Sequence, residues 1–236
     1  MAESRLVILT GAGISKESGL DTFRDADGIW ARYSIDEVAT PEAFARNPDL
    51  VHGFYNARRA GVNDPAVQPN AAHQALVALE HGWQGPFLLV TQNVDDLHDR
   101  AGSRALVHMH GSLVHRRCTS CQTVQEWRQD LETGQVCPNC SATGTLRPDV
   151  VWFGEMPREM DRIYQALERC DVFIAIGTSA TVYPAAGFVE AATVAGAKTI
   201  EANLEPTEAS SLFDEQIPGP ATVSIPALVK RLLDEQ

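Results

Sequence analysis

Four of the five cysteines form two Cys-x-x-Cys pairs, Cys118 with Cys121 and Cys137 with Cys140. Each pair can present two thiolates from one tight turn, and the 15 residues between the pairs are typical of a zinc site. Four thiolates complete a tetrahedron and leave no position for water or substrate, so we expect one structural Zn²⁺ ion. Two disulfides, or a redox pair, are the alternative interpretation. The fifth cysteine, Cys170, precedes an apolar run, which favours a buried thiol.

Small and polar residues follow four apolar segments of the chain. Their sequences are TGAGIS at 10–15, TQNVD at 91–95, GTS at 177–179 and EANLEP at 201–206. Ligands of a doubly wound parallel sheet bind beyond the carboxyl ends of its strands. The four segments therefore predict a nucleotide site that several loops build together.

Two glycines, Gly11 and Gly13, lie in the first of these segments. They permit a tight turn and a close approach of the backbone, and the helix expected after them would offer free N–H groups to a diphosphate. The segment is not the dinucleotide fingerprint of dehydrogenases, because Lys16 stands where that motif has its third glycine. Taken alone, the segment fits either a nucleotide-binding loop or a purely structural turn.

Tyr55 and Arg58 are three residues apart, so on a helix they share a face and lie ~60° apart. A guanidinium and a phenol aimed at one point form a carboxylate receptor, since arginine supplies two charged donors and tyrosine a neutral one. A protein with a formal charge of −12 would otherwise repel an anionic group. The alternative is that Arg58 is a solvated charge beside Arg59 and that Tyr55 is a core aromatic residue.

Apolar strands alternate with helices along the chain, which predicts an α/β fold with a doubly wound parallel sheet and helices on both faces. We expect strands at 5–10, 86–91, 105–108, 171–176 and 198–201, and an extended segment at 150–153. We expect helices at 71–81, 160–169, 185–195 and 225–234, with a helical excursion over 24–70. The cysteine pairs lie between strands, so their module is an insertion.

The 236 residues include 31 acidic and 19 basic side chains, and 44% of them are hydrophobic. This length and composition are typical of one large globular domain, or of one domain with a small module. The acidic balance argues against direct binding to nucleic acid or to a membrane surface, since both are anionic. No apolar run approaches the ~20 residues of a membrane span, and no leader is evident, so we expect a cytoplasmic protein.

The order of the motifs carries a family resemblance. GAGIS is followed by SGLDTFRDADGIW, TQNVDDLH, HMHGSL, the cysteine pairs, RPDVVWFGE, GTSATVYPAAG and EANLEP. This series resembles the sirtuin family over residues 6–232, with Val94 in place of the usual isoleucine. The resemblance implies NAD-dependent removal of acyl groups from protein lysines. It also implies a Rossmann-like sheet domain with a smaller helical and zinc-binding lobe inserted.

The resemblance implies a single catalytic domain over 1–236. Its NAD-binding part comprises 1–30, 71–112 and 148–236, its helical module 31–70, and its zinc-binding module 113–147. We expect acyl-lysine proteins or peptides as partners, without nucleic acid or membrane, and we expect a monomer.

His110, in HMHGSL, matches the catalytic base of the family, and Asn93 matches a residue that orients the ribose or a water. In the implied reaction the acyl oxygen displaces nicotinamide, and a ribose hydroxyl must then lose its proton. An imidazole suits that task near neutral pH. Without the resemblance, His110 is as compatible with a core or surface histidine as with a catalytic one. We treat His108 as structural. The implied NAD contacts are Gly11, Ala12, Gly13, Arg24, Gln92, Asn93, Asp95, Gly177, Thr178, Ser179, Asn203, Glu205 and Ala221.

The resemblance also suggests how the substrate lies. Segment 151–155 resembles the part of the family that pairs with the substrate backbone as an added strand. Val151 and Phe153 would line an apolar tunnel for the lysine stem, although a core role suits both as well. Tyr55 and Arg58 match the Tyr-x-x-Arg pattern of class III sirtuins, which accept succinyl- and malonyl-lysine. The pattern therefore predicts removal of succinyl and malonyl as well as acetyl groups.

Three other functions remain open at this point. A conventional NAD dehydrogenase is disfavoured by the missing third glycine. A zinc-ribbon module for nucleic acid is disfavoured by the acidic charge and by the absence of a basic, aromatic-rich patch around the cysteines. A protein ADP-ribosyltransferase would use the same cofactor and the same fold, so the sequence does not separate it from a deacylase.

Overall fold

Strands and helices alternate around a central parallel sheet. The computed structural model describes residues 4–22, 33–179 and 183–235. Its strands are β1 (Leu6–Thr10), β2 (Phe87–Thr91), β3 (Leu106–His108), β4 (Gly111–Cys118), β5 (Val124–Glu126), β6 (Leu146–Val150), β7 (Val172–Ile176), β8 (Lys198–Asn203) and β9 (Glu215–Pro218). Its helices are α1 (Gly13–Lys16), α2 (Ile35–Val38), α3 (Pro41–Arg46), α4 (Pro48–Val62), α5 (Ala71–Gly82), α6 (Leu97–Ala101), α7 (Met160–Leu167), α8 (Phe188–Val194) and α9 (Ala221–Asp234). In these ranges, each helix is too short or too polar to span a bilayer.

Six strands pair in the order β3-β2-β1-β7-β8-β9, and all of them are parallel. This order confirms the predicted doubly wound α/β fold. The chain moves outward from β1 to β3 in one direction and later returns to place β7 on the other side of β1. The switch point between β1 and β7 is where such a sheet opens a crevice for a ligand.

Strand β1 shows why the sheet is covered on both faces, since all five of its residues are buried. Leu6 and Ile8 pack in a cluster with apolar residues of α5 and α9. Val7 and Leu9 pack in another cluster with apolar residues of α7 and α8. Alternate side chains of a strand point to opposite faces, so a strand that is apolar throughout requires a helical layer on each side.

Helix α4 begins with two local signals. The side-chain oxygen of Asn47 accepts a hydrogen bond from the Leu50 amide at 3.1 Å, which caps the helix. Pro48 follows in the first turn, where its missing N–H costs no helical hydrogen bond. The apolar residues of α4 then pack in a cluster with Leu113 of β4 and with Trp152. This helix therefore presents its face toward the residues that follow β6.

A second sheet, antiparallel and in the order β5-β4-β6, is absent from our sequence prediction, as is the edge strand β9. Strand β5 has three residues, of which two are exposed and one is half-buried. Strand β9 alternates half-buried and exposed residues. Neither has the apolar run that identifies a strand in a sequence, so only pairing with neighbours defines them.

Several predicted boundaries differ from the structure, and two of them differ most clearly. Of the extended segment predicted at 150–153, only Val150 belongs to a strand, because β6 ends there. The last helix begins at Ala221, four residues before its predicted start, and continues through Pro226. The prediction of a buried thiol at Cys170 is confirmed, and its Sγ lies 3.1 Å from the Leu167 carbonyl oxygen.

Candidate active site

A cleft of about 940 Å³ lies at the carboxyl ends of β1, β2, β7 and β8. Sixteen of the predicted site residues line it: Gly11, Ala12, Gly13, Tyr55, Arg58, Gln92, Asn93, His110, Val151, Phe153, Gly177, Thr178, Ser179, Asn203, Glu205 and Ala221. Asp95 instead lines an adjoining cavity of about 310 Å³, which shares Ala12, Arg58, Asn93 and Val94 with the cleft. Arg24 lies outside the described residues.

The glycine turns after β1 and β7 pack against each other. The Gly13 amide donates to the Gly177 carbonyl at 2.9 Å, and the Gly11 amide donates to Ile176 at 2.9 Å. A Cβ atom on Gly13 would lie 2.7 Å from the Gly177 Cα, and Gly177 itself has a φ of +60°. Glycine is therefore required here because two loops touch at the switch point.

The expectation of free N–H groups at the start of α1 is wrong. This helix is a single turn of four residues. The amide of Gly13 donates to Gly177, that of Ile14 to Gly11 at 3.2 Å, and that of Ser15 to Ala12 at 3.1 Å. These three amides already have carbonyl acceptors in the turns, so they are not the free donors that the glycine pattern suggested.

A buried polar cluster joins Asn93 and Asp95 through Ser15. The Ser15 hydroxyl donates to Asp95 Oδ2 at 3.0 Å and accepts from Asn93 Nδ2 at 3.1 Å. Burial raises the pKa of Asp95, while the Leu97 amide and the Ser15 hydroxyl oppose that shift. The sequence analysis did not assign Ser15 a role, although it is the last residue of the GAGIS motif.

His110 is held by the main chain that follows β2. Its Nδ1 lies 3.0 Å from the Gln92 carbonyl oxygen. Since a carbonyl only accepts, Nδ1 carries the proton, and Nε2 of the neutral ring is left as the proton acceptor. Burial lowers the pKa of His110, with the Gln92 carbonyl in opposition. His108, by contrast, lies 2.9 Å from Asp99 Oδ2, which makes it part of an ion pair at the surface side of β3.

Tyr55 and Arg58 both lie on α4 and both line the cleft. Burial raises the pKa of Tyr55 to about 12, and its phenol oxygen accepts a hydrogen bond from Trp152 Nε1 at 3.0 Å. Arg58 is half-buried, with its guanidinium carbon 5.6 Å from the centre of the Phe54 ring. Burial lowers the pKa of Arg58, whereas Tyr55 and the carboxylate of Asp95 raise it.

Most amides of segment 151–155 already have acceptors in the protein. The Val151 amide donates to the His110 carbonyl at 2.8 Å, and the Phe153 amide donates to the Ala39 carbonyl at 3.0 Å. The Trp152 amide donates to Glu155 Oε2 at 2.8 Å. Backbone pairing with a peptide, as predicted for this segment, would therefore have to use its carbonyl groups or the Gly154 amide.

The far end of the cleft is organised by Glu201, which the sequence analysis missed. Its buried carboxylate accepts from Asn203 Nδ2 at 2.9 Å and from the Thr207 hydroxyl at 2.6 Å. Asn203 Nδ2 also donates to the Thr178 carbonyl at 3.0 Å, while Gln92 Nε2 donates to the Thr178 hydroxyl at 2.9 Å. These contacts connect the loops after β2, β7 and β8.

The four paired cysteines converge, with their sulfur atoms within 4.8 Å of one another. Sγ of Cys118 lies 3.7 Å from that of Cys140, and Sγ of Cys121 lies 3.8 Å from that of Cys137. A tetrahedron with Zn–S bonds of ~2.3 Å has edges of ~3.8 Å, whereas a disulfide is ~2.05 Å long. The residues present therefore fit one zinc ion bound by four thiolates, and disulfides do not fit.

The two Cys-x-x-Cys turns have the same backbone conformation. The Gln122 amide donates to the Cys118 carbonyl and the Ser141 amide to the Cys137 carbonyl, both at 2.9 Å. Gln122 has a φ of +61° and Ser141 a φ of +60°, so the chain reverses direction directly after the second cysteine of each pair. Two matching turns of this kind bring four thiolates to one point.

The cysteine module is bound to α4 and to the loop after β2. Asn56 of α4 donates to the Leu131 carbonyl at 3.0 Å and accepts from the Leu131 amide at 2.9 Å. Arg128 donates to the buried carboxylate of Asp96 at 2.8 Å, next to Asp95 in sequence. The module thus supports two of the elements that line the cleft and its adjoining cavity.

Comparison with known proteins agrees with this geometry. A family model described as the Sir2 family matches residues 11–184. The NAD-dependent protein deacylase of Bdellovibrio bacteriovorus is 58% identical over 229 residues, which cover 97% of this chain and 97% of that relative. A solved Sir2 homologue–NAD complex has a TM-score of 0.87 at 44% identity and covers 98% of this chain and 89% of that one. A Sir2–p53 peptide–NAD⁺ complex has a TM-score of 0.77 at 26% identity, over 98% of this chain and 92% of that one.

Proposed function

This chain belongs to the Sir2 family, and we propose that it is an NAD-dependent protein deacylase that removes acetyl, succinyl and malonyl groups from lysine side chains. One observation carries the proposal: a single cleft is lined by His110, by Asn93 and by the pair of Tyr55 and Arg58. The cleft thus combines a proton acceptor, a polar cluster and a carboxylate receptor. The relatives' names and complexes support NAD as the co-substrate and peptides as substrates.

The cleft suits a dinucleotide in size and in position. Its volume lies within the ~300–1,000 Å³ typical of small-molecule sites, and it opens at the switch point of the sheet. Bound NAD supplies a ribose carbon whose bond to nicotinamide breaks as the acyl oxygen of the lysine amide attacks it. The products are nicotinamide, the free lysine and an acyl ester of ADP-ribose, with one water consumed. We assign Asn203 and Glu205, which line the cleft, to the adenosine ribose.

His110 acts in this scheme as the general base. Its Nδ1 proton is engaged by the Gln92 carbonyl, so Nε2 accepts the proton of the ribose hydroxyl that receives the acyl group. Because burial lowers the pKa of His110, the ring is neutral and able to accept a proton at pH 7.

Asn93 and Asp95 hold the nicotinamide end of NAD. Asp95 accepts hydrogen bonds through its carboxylate oxygens, so it can take one from a carboxamide NH₂ group. Ser15 bridges Asp95 and Asn93 and keeps both side chains in one orientation. Asn93 then orients the ribose or the attacking water.

Tyr55 and Arg58 select the acyl group. Both line the cleft from α4, where a charged fork and a neutral hydroxyl can meet one carboxylate. Succinyl and malonyl groups end in such a carboxylate, and an acetyl group is short enough to enter the same pocket without using the pair. Val151 and Phe153, which also line the cleft, would contact the lysine stem.

Mass spectrometry of one peptide carrying acetyl-, malonyl-, succinyl- or butyryl-lysine, with and without NAD, tests the proposal. Butyryl-lysine is the matched control, because it has the length of succinyl-lysine and lacks the carboxylate. We expect NAD-dependent loss of the acyl mass, with succinyl removed faster than butyryl, and acyl-ADP-ribose as a product. An ADP-ribosyl mass added to protein or peptide, with the acyl group retained, would instead identify an ADP-ribosyltransferase.

A further inference from the structure

Trp152 lies at the wall of the acyl pocket and donates its indole N–H to the phenol oxygen of Tyr55 at 3.0 Å. Both side chains are buried, with Trp152 2% and Tyr55 5% exposed. An indole nitrogen is a donor only, so the phenol oxygen must be the acceptor in this contact. The phenol proton therefore points away from Trp152.

This contact changes what Tyr55 can offer to a ligand. A hydroxyl whose oxygen already accepts a hydrogen bond becomes a stronger donor, because successive hydrogen bonds polarise one another. Tyr55 and Arg58 line the same cleft from the same helix. The phenol and the Arg58 guanidinium can thus both donate to one carboxylate.

Trp152 is itself fixed by a closed set of contacts. The Arg147 guanidinium stacks on its ring, with Cζ 3.3 Å from the ring centre. Arg147 also donates to both carboxylate oxygens of Glu155, at 2.7 and 3.0 Å. Glu155 Oε2 in turn accepts from the Trp152 amide at 2.8 Å. A ring held on its face and at its backbone keeps its N–H in one direction.

We propose that Trp152 is a positioning residue for acyl groups that end in a carboxylate, acting through the Tyr55 hydroxyl. The proposal rests on the proposed function and deepens it. Trp152 makes no contact with the acyl carboxylate in this scheme. It sets the direction and the donor strength of the phenol that does.

The test is the ratio of kcat/KM for succinyl-lysine to kcat/KM for acetyl-lysine in one peptide. Trp152→Phe removes the N–H and keeps an aromatic ring, and the ratio should fall about 2- to 12-fold, the range for one neutral hydrogen bond. The matched control is Trp83→Phe, which removes the same N–H from a tryptophan that donates to the Ser4 carbonyl away from the cleft. The control ratio should equal that of the unmodified protein.

A double-mutant cycle shows whether Trp152 acts through Tyr55. In a Tyr55→Phe background, the additional change Trp152→Phe should leave the ratio where Tyr55→Phe alone puts it, because the acceptor is already gone. An equal fall in both backgrounds would overturn the proposal and assign Trp152 to packing alone. An unchanged ratio in the single Trp152→Phe variant would overturn it as well.

Benzothienylalanine at position 152 covers the case in which Trp152→Phe does not fold. It keeps the bicyclic shape and replaces the N–H by sulfur, so the same fall in the ratio is expected, and an unchanged ratio overturns the proposal. A protein that removes no succinyl group at all overturns the proposed selectivity together with this inference. Normal succinyl removal with an unchanged ratio in the variants overturns this inference alone.

Discussion

The imidazole of His110 is held in one tautomer by a main-chain contact. The Gln92 carbonyl selects the tautomer, and burial lowers the pKa, so both effects leave Nε2 unprotonated at neutral pH. The base form is lost only when the pH falls through this lowered pKa. The acid limb of the pH profile of kcat/KM should therefore lie below the ordinary histidine value of ~6.5.

Replacement of His110 by tyrosine should remove the base without removing the fold. We expect His110→Tyr to retain its zinc and its melting temperature while kcat falls roughly 10²–10⁴-fold, which is the usual contribution of general-base catalysis. Steady-state deacylation, with circular dichroism as the folding control, measures this. A folded variant that keeps more than about a tenth of the activity would remove His110 from its assigned role.

At the residue scale, sequence reasoning reaches those features that depend on local spacing. The cysteine pairs and the Tyr55–Arg58 spacing can be recognised within a few residues of chain. The Trp152–Tyr55 hydrogen bond joins residues 97 positions apart, so no local pattern contains it. The Gly13–Gly177 contact is likewise long-range, and for this reason the glycine pattern suggested free amides that the structure shows to be occupied.

At the element scale, helix α4 connects the cleft to the module of the four paired cysteines. It carries Tyr55 and Arg58 toward the cleft, while Asn56 makes two hydrogen bonds with Leu131 of the module. Arg128 of the same module holds Asp96 in the loop that contains Asp95. A zinc ion with four thiolate ligands takes no part in the reaction, yet its loss should disturb both contacts.

Removal of one zinc ligand should therefore abolish activity because the zinc-binding module unfolds. Structural zinc contributes on the order of 10–16 kcal/mol in isolated finger peptides, so Cys118→Ser should unfold residues 113–147 and release α4. Metal analysis and limited proteolysis should show loss of zinc and cleavage within that module, together with loss of deacylation. A Cys118→Ser variant that stays folded and binds peptide normally, but is inactive, would point to catalytic zinc.

The helices and the parallel strands could be predicted from the sequence more fully than the antiparallel sheet of β5, β4 and β6, and the reason is their burial. The inner strands β1, β2 and β7 of the central sheet are buried on both faces and so are apolar at nearly every position. Strand β5 lies at the edge of a sheet outside the main core, and its residues carry no such pattern. Its position depends on pairing with β4, which only the folded chain establishes.

At the scale of the whole molecule, buried histidines couple folding to pH. Burial lowers the pKa of His52, His73 and His98, that of His73 to about 4. In the unfolded chain these histidines bind a proton near pH 6.5, whereas in the folded protein they stay neutral to a lower pH. The free energy of unfolding is therefore unaffected by them above pH 6.5 and decreases as the pH falls below that value. His108, whose pKa Asp99 raises despite burial, acts in the opposite sense, as does Asp95.

The free energy of unfolding should accordingly decrease from about pH 7 to about pH 5, since four histidines with lowered pKa values, His110 among them, outweigh one histidine with a raised pKa. His73 alone would account for about 3 kcal/mol between pH 6.5 and its pKa of about 4. Urea denaturation at several pH values measures the slope. His73→Gln should make the slope shallower, whereas a slope that is zero or reversed in the unmodified protein would contradict this coupling.

The central claim is that one charge in an acidic protein selects the acyl group, and Arg58→Met tests it most directly. The measurement is the ratio of kcat/KM for succinyl-lysine to that for acetyl-lysine, with Arg162→Met as control. Arg162 is an exposed arginine of α7 paired with Glu159, so both variants lose one positive charge and only one alters the cleft. An Arg–carboxylate hydrogen bond contributes roughly 1.5–3 kcal/mol, so the ratio should fall about 10- to 150-fold in Arg58→Met and stay constant in the control. Equal losses on the two peptides in Arg58→Met would contradict the claim and assign Arg58 to the fold.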